Sequence, residues 1–312
     1  MAHLFSPLRI ERLHLPNRVV FAPMLSGFAC AEGFVDDALI RYYAQIAQSG
    51  VGMIMTEPLQ IMPLASNGML AHIGIYHDAF TPGLHSLAQA VQAHGTSIIA
   101  LIDAPAKLGA EDESLLNRMG RYFLHAAWRA LAAGFDGICL SIADHGALHY
   151  LASPLYNRRH DRLASDQESR NRLLLAIIEA IRTHFGERLP ICLRIIADEF
   201  TPGGLGLQDA RVVARRAVTA GARLIDVTID DRTTAALAQF PGWAIPLASA
   251  IRRVNPNTPV IGAGLLDDPL IADSVIYDGS VDLVMLDTVL RTNAQWVAAA
   301  RAALKPMDDA MP

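Results

Sequence analysis

Polar side chains stand at the ends of apolar runs along this chain: Glu57, Asp103, Ser141 with Asp144 and His145, Arg194, Asp226 with Thr228, and Asp287 with Thr288. An aspartate beside a histidine, as at Asp144 and His145, suits general acid–base chemistry; an ordinary hydrogen-bonded surface loop is the alternative. Ionised, Asp144 only accepts hydrogen bonds. Desolvated, its pKa rises, which favours proton transfer over binding a carbonyl oxygen. Arg194 lies inside the run ICLRII and needs an anion there, either a bound one or an internal partner such as Asp226 or Glu57. Asp103, Asp144 and Asp287 are carboxylates of the kind that hold a divalent cation. No HxH or paired-carboxylate spacing supports that use, and His145, His149 and His160 lack zinc-ligand spacing on one helix face, so no metal is assigned.

The elements that must position these groups follow from the pattern of the runs. Near-continuous apolar stretches at 19–24, 51–56, 97–103, 137–141, 191–196, 224–228, 259–263 and 283–287 read as strands buried on both faces. Amphipathic segments at 38–48, 84–94, 123–133, 172–185, 208–220 and 268–277 lie between them. Gly50, Gly95, Gly134, Gly221 and Gly279 fit helix C-caps before the next strand. Eight strands each followed by a helix predict a single α/β domain over 1–312, a (β/α)8 TIM barrel. A doubly wound sheet is disfavoured because no glycine-rich phosphate fingerprint follows the first strand. Residues 5–15 read as a hairpin that caps the barrel bottom. Active sites of such barrels lie at the C-terminal strand ends, where the polar residues above stand.

Composition narrows the function classes. The 312 residues are 52% hydrophobic and 18% charged, with net charge −5. That permits a large core and argues against nucleic acid as partner. No apolar run reaches the ~18 residues that span a bilayer, and the N-terminus has no signal-peptide pattern. Cys30, Cys139 and Cys192 are scattered, which fits a reducing cytoplasm and excludes a cysteine-built metal site. Cys30 reads as a simple thiol. Lys107 and Lys305, the two lysines, lie outside strand-like runs, which disfavours Schiff-base chemistry.

The opening LFSPLRIERLHLPNRVVFAPM closely resembles the start of the old yellow enzyme family, the NADH:flavin oxidoreductase barrels. So do YYAQIAQSGVGMIMTEPLQI, the SP-x-x-N-x-R-x-D run at 153–161, and ESRNRLLL. The resemblance covers nearly the whole chain. It implies FMN across the barrel top, reduced by NAD(P)H, with hydride passing to an activated alkene and a tyrosine donating the proton. A small-molecule substrate and a homo-oligomer are implied as well.

Carried over residue by residue, Pro23 and Met24 match the first-strand turn that approaches the flavin. Leu25 takes the position usually held by Thr or Cys. Ala100 stands for the glutamine that bonds the flavin pyrimidine, and Asp103 for the histidine that follows it. A gapless count from Gly137 to Pro154 puts the substrate-binding pair on Ser141 and Asp144 and the proton-donor tyrosine on Gly146. Arg194 matches the arginine at flavin N1/O2. Gly262 and Gly264 match the phosphate-binding turn, and Asp287-Thr288 replaces a Gly-Arg pair, removing the phosphate arginine. Asp287 there repels phosphate, while Arg291 could reach back.

The resemblance thus implies an ene-reductase-type FMN oxidoreductase with an altered site, with Asp144, Ser141, His145 and Asp103 as the catalytic candidates. Four or five lost contacts at about 1 kcal/mol each weaken FMN by roughly three to four powers of ten. A second reading therefore stands beside the first: a barrel that has lost FMN and does cofactor-independent acid–base chemistry, as an isomerase, lyase or cyclase. A third is a non-catalytic accessory barrel.

Overall fold

The computed structural model describes residues 2–30, 32–63, 72–106, 113–143, 145–161, 163–229 and 240–304. The candidate Asp144, and both lysines, lie outside the described residues. An antiparallel hairpin, β1 (Leu8–Ile10) and β2 (Leu13–Leu15), precedes the barrel. Eight parallel strands form the barrel wall: β3 (Val19–Phe21), β4 (Met53–Met55), β7 (Ser97–Asp103), β8 (Gly137–Ile142), β9 (Ile191–Ile196), β10 (Leu224–Thr228), β11 (Val260–Gly262) and β12 (Leu283–Leu286). Each pairs with its sequence neighbours, and β12 pairs with β3, which closes the ring. Two short strands that periodicity did not predict, β5 (Leu59–Gln60) and β6 (Ile73–Gly74), extend the sheet beyond the upper half of β7.

Around the wall lie α1 (Asp37–Gln48), α2 (Thr81–Gln92), α3 (Glu113–Ala132), α4 (Ala147–Ala152), α5 (Gln167–Phe185), α6 (Leu207–Ala220), α7 (Ile245–Val254), α8 (Pro269–Tyr277), α9 (Thr288–Thr292) and α10 (Trp296–Ala303). Asp36 caps α1 by accepting from the Leu39 N–H at 2.9 Å, and Asp166 caps α5 through Ser169 at 2.8 Å. The five glycines expected at helix ends all adopt positive φ. The short α4 has no separate signature in the sequence, because its six residues fall within one continuous loop-and-turn motif.

Strand alternation sorts the core into two layers. Val20, Met53, Met55, Ile99, Leu101, Cys139, Cys192, Leu224, Ile261, Leu283 and Met285 fill the barrel interior. Ile10, Leu13 and Leu15 of the hairpin join that cluster from below, and Ser97 Oγ donates to His14 O at 3.3 Å, so the hairpin plugs the bottom. The alternate strand residues, among them Val19, Phe21, Ile54, Ile98, Ala100 and Ile102, face the helices. Among the described residues no helix is long and apolar enough to cross a membrane.

Candidate active site

Continuing the interior face toward the strand ends gives a polar layer. Asp103 follows Ile99 and Leu101 on β7, Ser141 follows Cys139 on β8, Arg194 follows Cys192 on β9, and Asp226 follows Leu224 on β10. Register places these residues level: Ser141 pairs with Arg194, Arg194 with Asp226, and Asp103 comes one step after the Ile102–Leu140 pair. Four adjacent strands therefore present carboxylate, hydroxyl, guanidinium and carboxylate in a row across the floor of the mouth. All four side chains are buried.

Arg194 meets Asp226 in a buried ion pair. It also donates to Thr228 Oγ1 at 3.2 Å and contacts Met285 Sδ at 3.7 Å. Of the two internal partners open in the sequence, the structure selects Asp226. Glu57 has a different neighbourhood. Its Oε1 accepts from Ser26 Oγ at 2.5 Å, and its backbone N–H donates to Tyr43 Oη at 2.8 Å. Its Oε2 is buried with no hydrogen-bond partner among the described residues.

Burial raises the Glu57 carboxyl above the ordinary glutamate range, against the smaller lowering effect of Ser26. The folded state then keeps a proton that the unfolded chain releases. Stability accordingly falls as pH rises from the ordinary glutamate value through the raised folded one, and is level above it. Glu57→Gln keeps an acceptor for Ser26 and removes the titration. In thermal melts between about pH 4 and pH 8 the variant should gain on the wild type as pH rises. Parallel curves would rule out a proton held at Glu57.

Above β8 the chain turns sharply. His145 sits at φ +59, a left-handed conformation that is costly for a side-chain-bearing residue. Its backbone N–H donates to His149 Nδ1 at 3.2 Å, and His149 Nε2 lies 3.0 Å from Glu199 Oε1. Glu199 Oε2 accepts from Ser153 Oγ at 3.0 Å and the Leu205 N–H at 2.6 Å. Burial pushes the Glu199 carboxyl up, but hydrogen bonds from His149, Leu205 and Ser153 outweigh it and leave the group below its ordinary range. His145, His149 and Tyr156 pack their rings together, and with Ala106 and Tyr150 they line a cavity of about 160 Å³. Nothing in the sequence marks His149 and Glu199 as partners, because a histidine and a glutamate fifty residues apart leave no local pattern.

The residues that frame the segment after β8 bind backbone or brace one another. Asn157 Nδ2 donates to Leu151 O and Leu163 O, Arg170 Nε donates to Ala152 O, and Arg159 pairs with Asp161. Gly146 is set against Asp103. A Cβ on Gly146 would overlap the Asp103 carboxyl, with Cγ and Oδ2 both at 2.7 Å.

At the opposite rim, Pro23, Met24 and Leu25 leave β3, with Met24 36% and Leu25 40% exposed. Gly264, at φ +125, turns the chain after β11 against Trp243 and Ala244. Beside it a cavity of about 170 Å³ is lined by Thr228, Trp243, Ala244, Ala263 and Leu265. Gly262 faces outward, where a Cβ would meet Val281 at 2.7 Å and Ile245 at 2.9 Å, so helix packing accounts for that glycine. Asp287 accepts from Thr288 Oγ1 at 2.8 Å and has Arg291 Nε at 3.8 Å. Burial, and then the charge of Asp287, raises Asp267 nearby.

Ala100 corrects one expectation: it belongs to the layer facing the helices, while Ile99 and Leu101 face the interior, so its side chain does not reach the mouth. Cys139 and Cys192, scattered in sequence, are register partners inside the barrel. Burial, with Cys139 alongside, pushes the Cys192 thiol well up, away from a reactive thiolate.

A family model for the NADH:flavin oxidoreductase / NADH oxidase family matches residues 3–119 and 112–305. The chain belongs to this family. It is 31% identical to an NADH oxidase of Thermoanaerobacter brockii over 96% of its own length, spanning 50% of that relative. It is 32% identical to an NADPH dehydrogenase of Geobacillus sp. (strain WCH70), over 95% of its length and 93% of the relative's. Among solved structures, a 2-naphthoyl-CoA reductase in complex with 2-naphthoyl-CoA superposes with a TM-score of 0.90 at 19% identity, over 96% of this chain and 52% of that one. Morphinone reductase in complex with tetrahydroNAD gives 0.78 at 20%, over 98% and 92%. At that identity the superpositions speak to the fold.

Proposed function

We propose that this chain is an FMN-dependent oxidoreductase of the old yellow enzyme type, reduced by NAD(P)H, whose mouth handles substrate with a carboxylate–hydroxyl–guanidinium row. The carrying observation is Arg194, a cation fixed at the mouth floor between Ser141 and Asp226. Family membership and relatives named for NADH and NADPH chemistry support the reading.

The residues present fit the two ends of FMN unequally. At the ring end, Arg194 offers positive charge and Met24 and Leu25 offer apolar surface. At the phosphate end, the Gly264 turn offers backbone and Arg291 a cation. Asp287 and Asp267 oppose an anion there, and Arg291 is engaged by Asp287. Bound FMN would supply hydride transfer from NAD(P)H to an activated alkene. The protein's own share is positional and electrostatic. Arg194 stabilises negative charge over the mouth floor. The Ser141 hydroxyl can donate to a substrate oxygen, and Asp103, in the volume next to Gly146, is the proton-handling group. Asp144 and His145 remain candidates on the same loop.

The purified protein should be yellow or should bind FMN saturably, as read by flavin fluorescence, with NADPH bleaching the bound flavin. Asp287→Asn, which removes the repulsion, should tighten FMN by roughly five- to tenfold. A colourless protein with no saturable binding at millimolar FMN would overturn the proposal. The two phosphate-end carboxylates would then favour the second reading, flavin-free acid–base chemistry by Asp103.

A further inference from the structure

Two loops stand at the mouth beyond adjacent strands, one after β8 that carries His145 and Gly146 and one after β9 (198–206). Each contains a side-chain-bearing residue in the left-handed region: His145 at φ +59 and Phe200 at φ +48. Such conformations persist only where surrounding contacts hold them. The contacts converge on Glu199. Its carboxylate accepts from His149 on α4, from Ser153 at the end of α4 and from the Leu205 N–H on its own loop. Gly204 is held against the same carboxylate, since a Cβ there would come within 2.6 Å of Oε2. Glu199, His149 and Ser153 are buried to within 1% of complete.

Hydrogen-bond partners assign the histidine tautomer. His149 Nδ1 accepts the His145 N–H, so it carries no proton. Nε2 therefore carries it and donates to Glu199. Among the described residues, every partner of the Glu199 carboxylate is a donor, so three donors meet it. The chain of bonds runs from the β9 loop through Glu199 and His149 to the strained backbone at His145.

We infer that Glu199 and His149 form a positioning pair that locks the two mouth loops together and fixes the backbone of His145 through one histidine tautomer. The pair is separate from the row on the mouth floor. Its consequence for turnover rests on the mouth being the active site as proposed above; the lock itself does not.

Glu199→Gln tests the lock because it keeps shape and replaces one acceptor with a donor. An amide nitrogen toward Leu205 faces an N–H that cannot turn away. Toward His149, the clash is relieved by moving the imidazole proton to Nδ1, which evicts the His145 N–H. The substitution should thus be felt at His145, on the other loop. With 15N-histidine labelling, wild-type His149 should show the neutral Nε2–H pattern. In Glu199→Gln, amide exchange at 143–150 should accelerate at least tenfold, and His149→Phe should reproduce that change. The double variant should be no worse than the worse single, since all three break one chain of bonds.

A wild-type Nδ1–H tautomer would overturn the proposal without any variant having to fold. Unchanged exchange at 143–150 in a folded Glu199→Gln protein would overturn it as well. The flavin titration separates this from the functional reading: failure to bind FMN leaves the tautomer and exchange results standing. If FMN binds, Glu199→Gln should lower kcat for NADPH oxidation at least tenfold with flavin affinity within about threefold of wild type, and Glu199→Asp should recover part of it. Equal turnover with altered exchange would confine the pair to a purely structural role and overturn the positioning claim.

Discussion

Replacing Asp226 with alanine will lower the thermal midpoint by roughly 5–8 °C, corresponding to about 3–5 kcal/mol for breaking a buried ion pair from one side. Asp226 is fully buried and Arg194 nearly so. The substitution takes from a nearly buried guanidinium the carboxylate that faces it, while Thr228 Oγ1 and the Met285 sulfur, which it also touches, carry no charge. The cost is set less by the attraction lost than by leaving a buried charge without this counter-ion. Arg194→Met should destabilise comparably, because it takes the facing cation from a fully buried carboxylate instead. The double variant Arg194→Met/Asp226→Leu should recover most of the stability, since both charges leave together. Arg194→Lys will not rescue function, because a point charge cannot reproduce a planar fork that meets Asp226 and Thr228 at once. If Asp226→Ala melts within about 1 °C of wild type, the pair is not buried as described and Arg194 is free to act as a surface cation.

That pair shows how far the sequence can be taken. An arginine in ICLRII demanded an anion, and Asp226 stood at the end of a neighbouring strand, so the need was legible while the choice between Asp226 and Glu57 was not. Parallel register decided it by setting Arg194 beside Asp226. Ala100 failed for a related reason. Runs buried on both faces alternate between two apolar environments, so the sequence gives no phase. Only the closed barrel shows that Ile99 and Leu101 face inward and Ala100 outward. Helix ends were easier, because Gly50, Gly95, Gly134, Gly221 and Gly279 carry a local requirement for positive φ. The family-like run at Ser153, Asn157, Arg159, Asp161 and Arg170 is intelligible afterwards as side chains that satisfy loop backbone or brace one another. Glu199 and His149 were beyond reach, since their partnership is purely tertiary.

Gly146→Ala will destabilise the protein by about 2–3 kcal/mol or more, although its φ of −74° suits alanine. The obstacle is space. The Asp103 carboxyl occupies the position where a side chain on residue 146 begins. Neither backbone can retreat easily: Ile61 N–H holds Asp103 O at 3.0 Å, and Ala147 N–H holds Ala104 O at 2.8 Å. Asp103 must therefore rotate away from a buried site, adding the cost of resettling a carboxylate. Asp103→Ala in the same chain should remove the clash, so the double variant should melt above Gly146→Ala alone. Additive losses would show that the two positions do not share one volume. The coupling bears on function, because residue 146 is where the family resemblance places an aromatic proton donor. With Asp103 where it stands, no aromatic fits, so the exchange of one donor for the other must involve both positions. Asp103→Asn keeps the shape and removes the titratable proton. If Asp103 handles the substrate proton, that variant should lose about a hundredfold or more in alkene turnover while NADPH still bleaches the flavin at the wild-type rate. Loss of both half-reactions together would assign Asp103 to holding the mouth in shape.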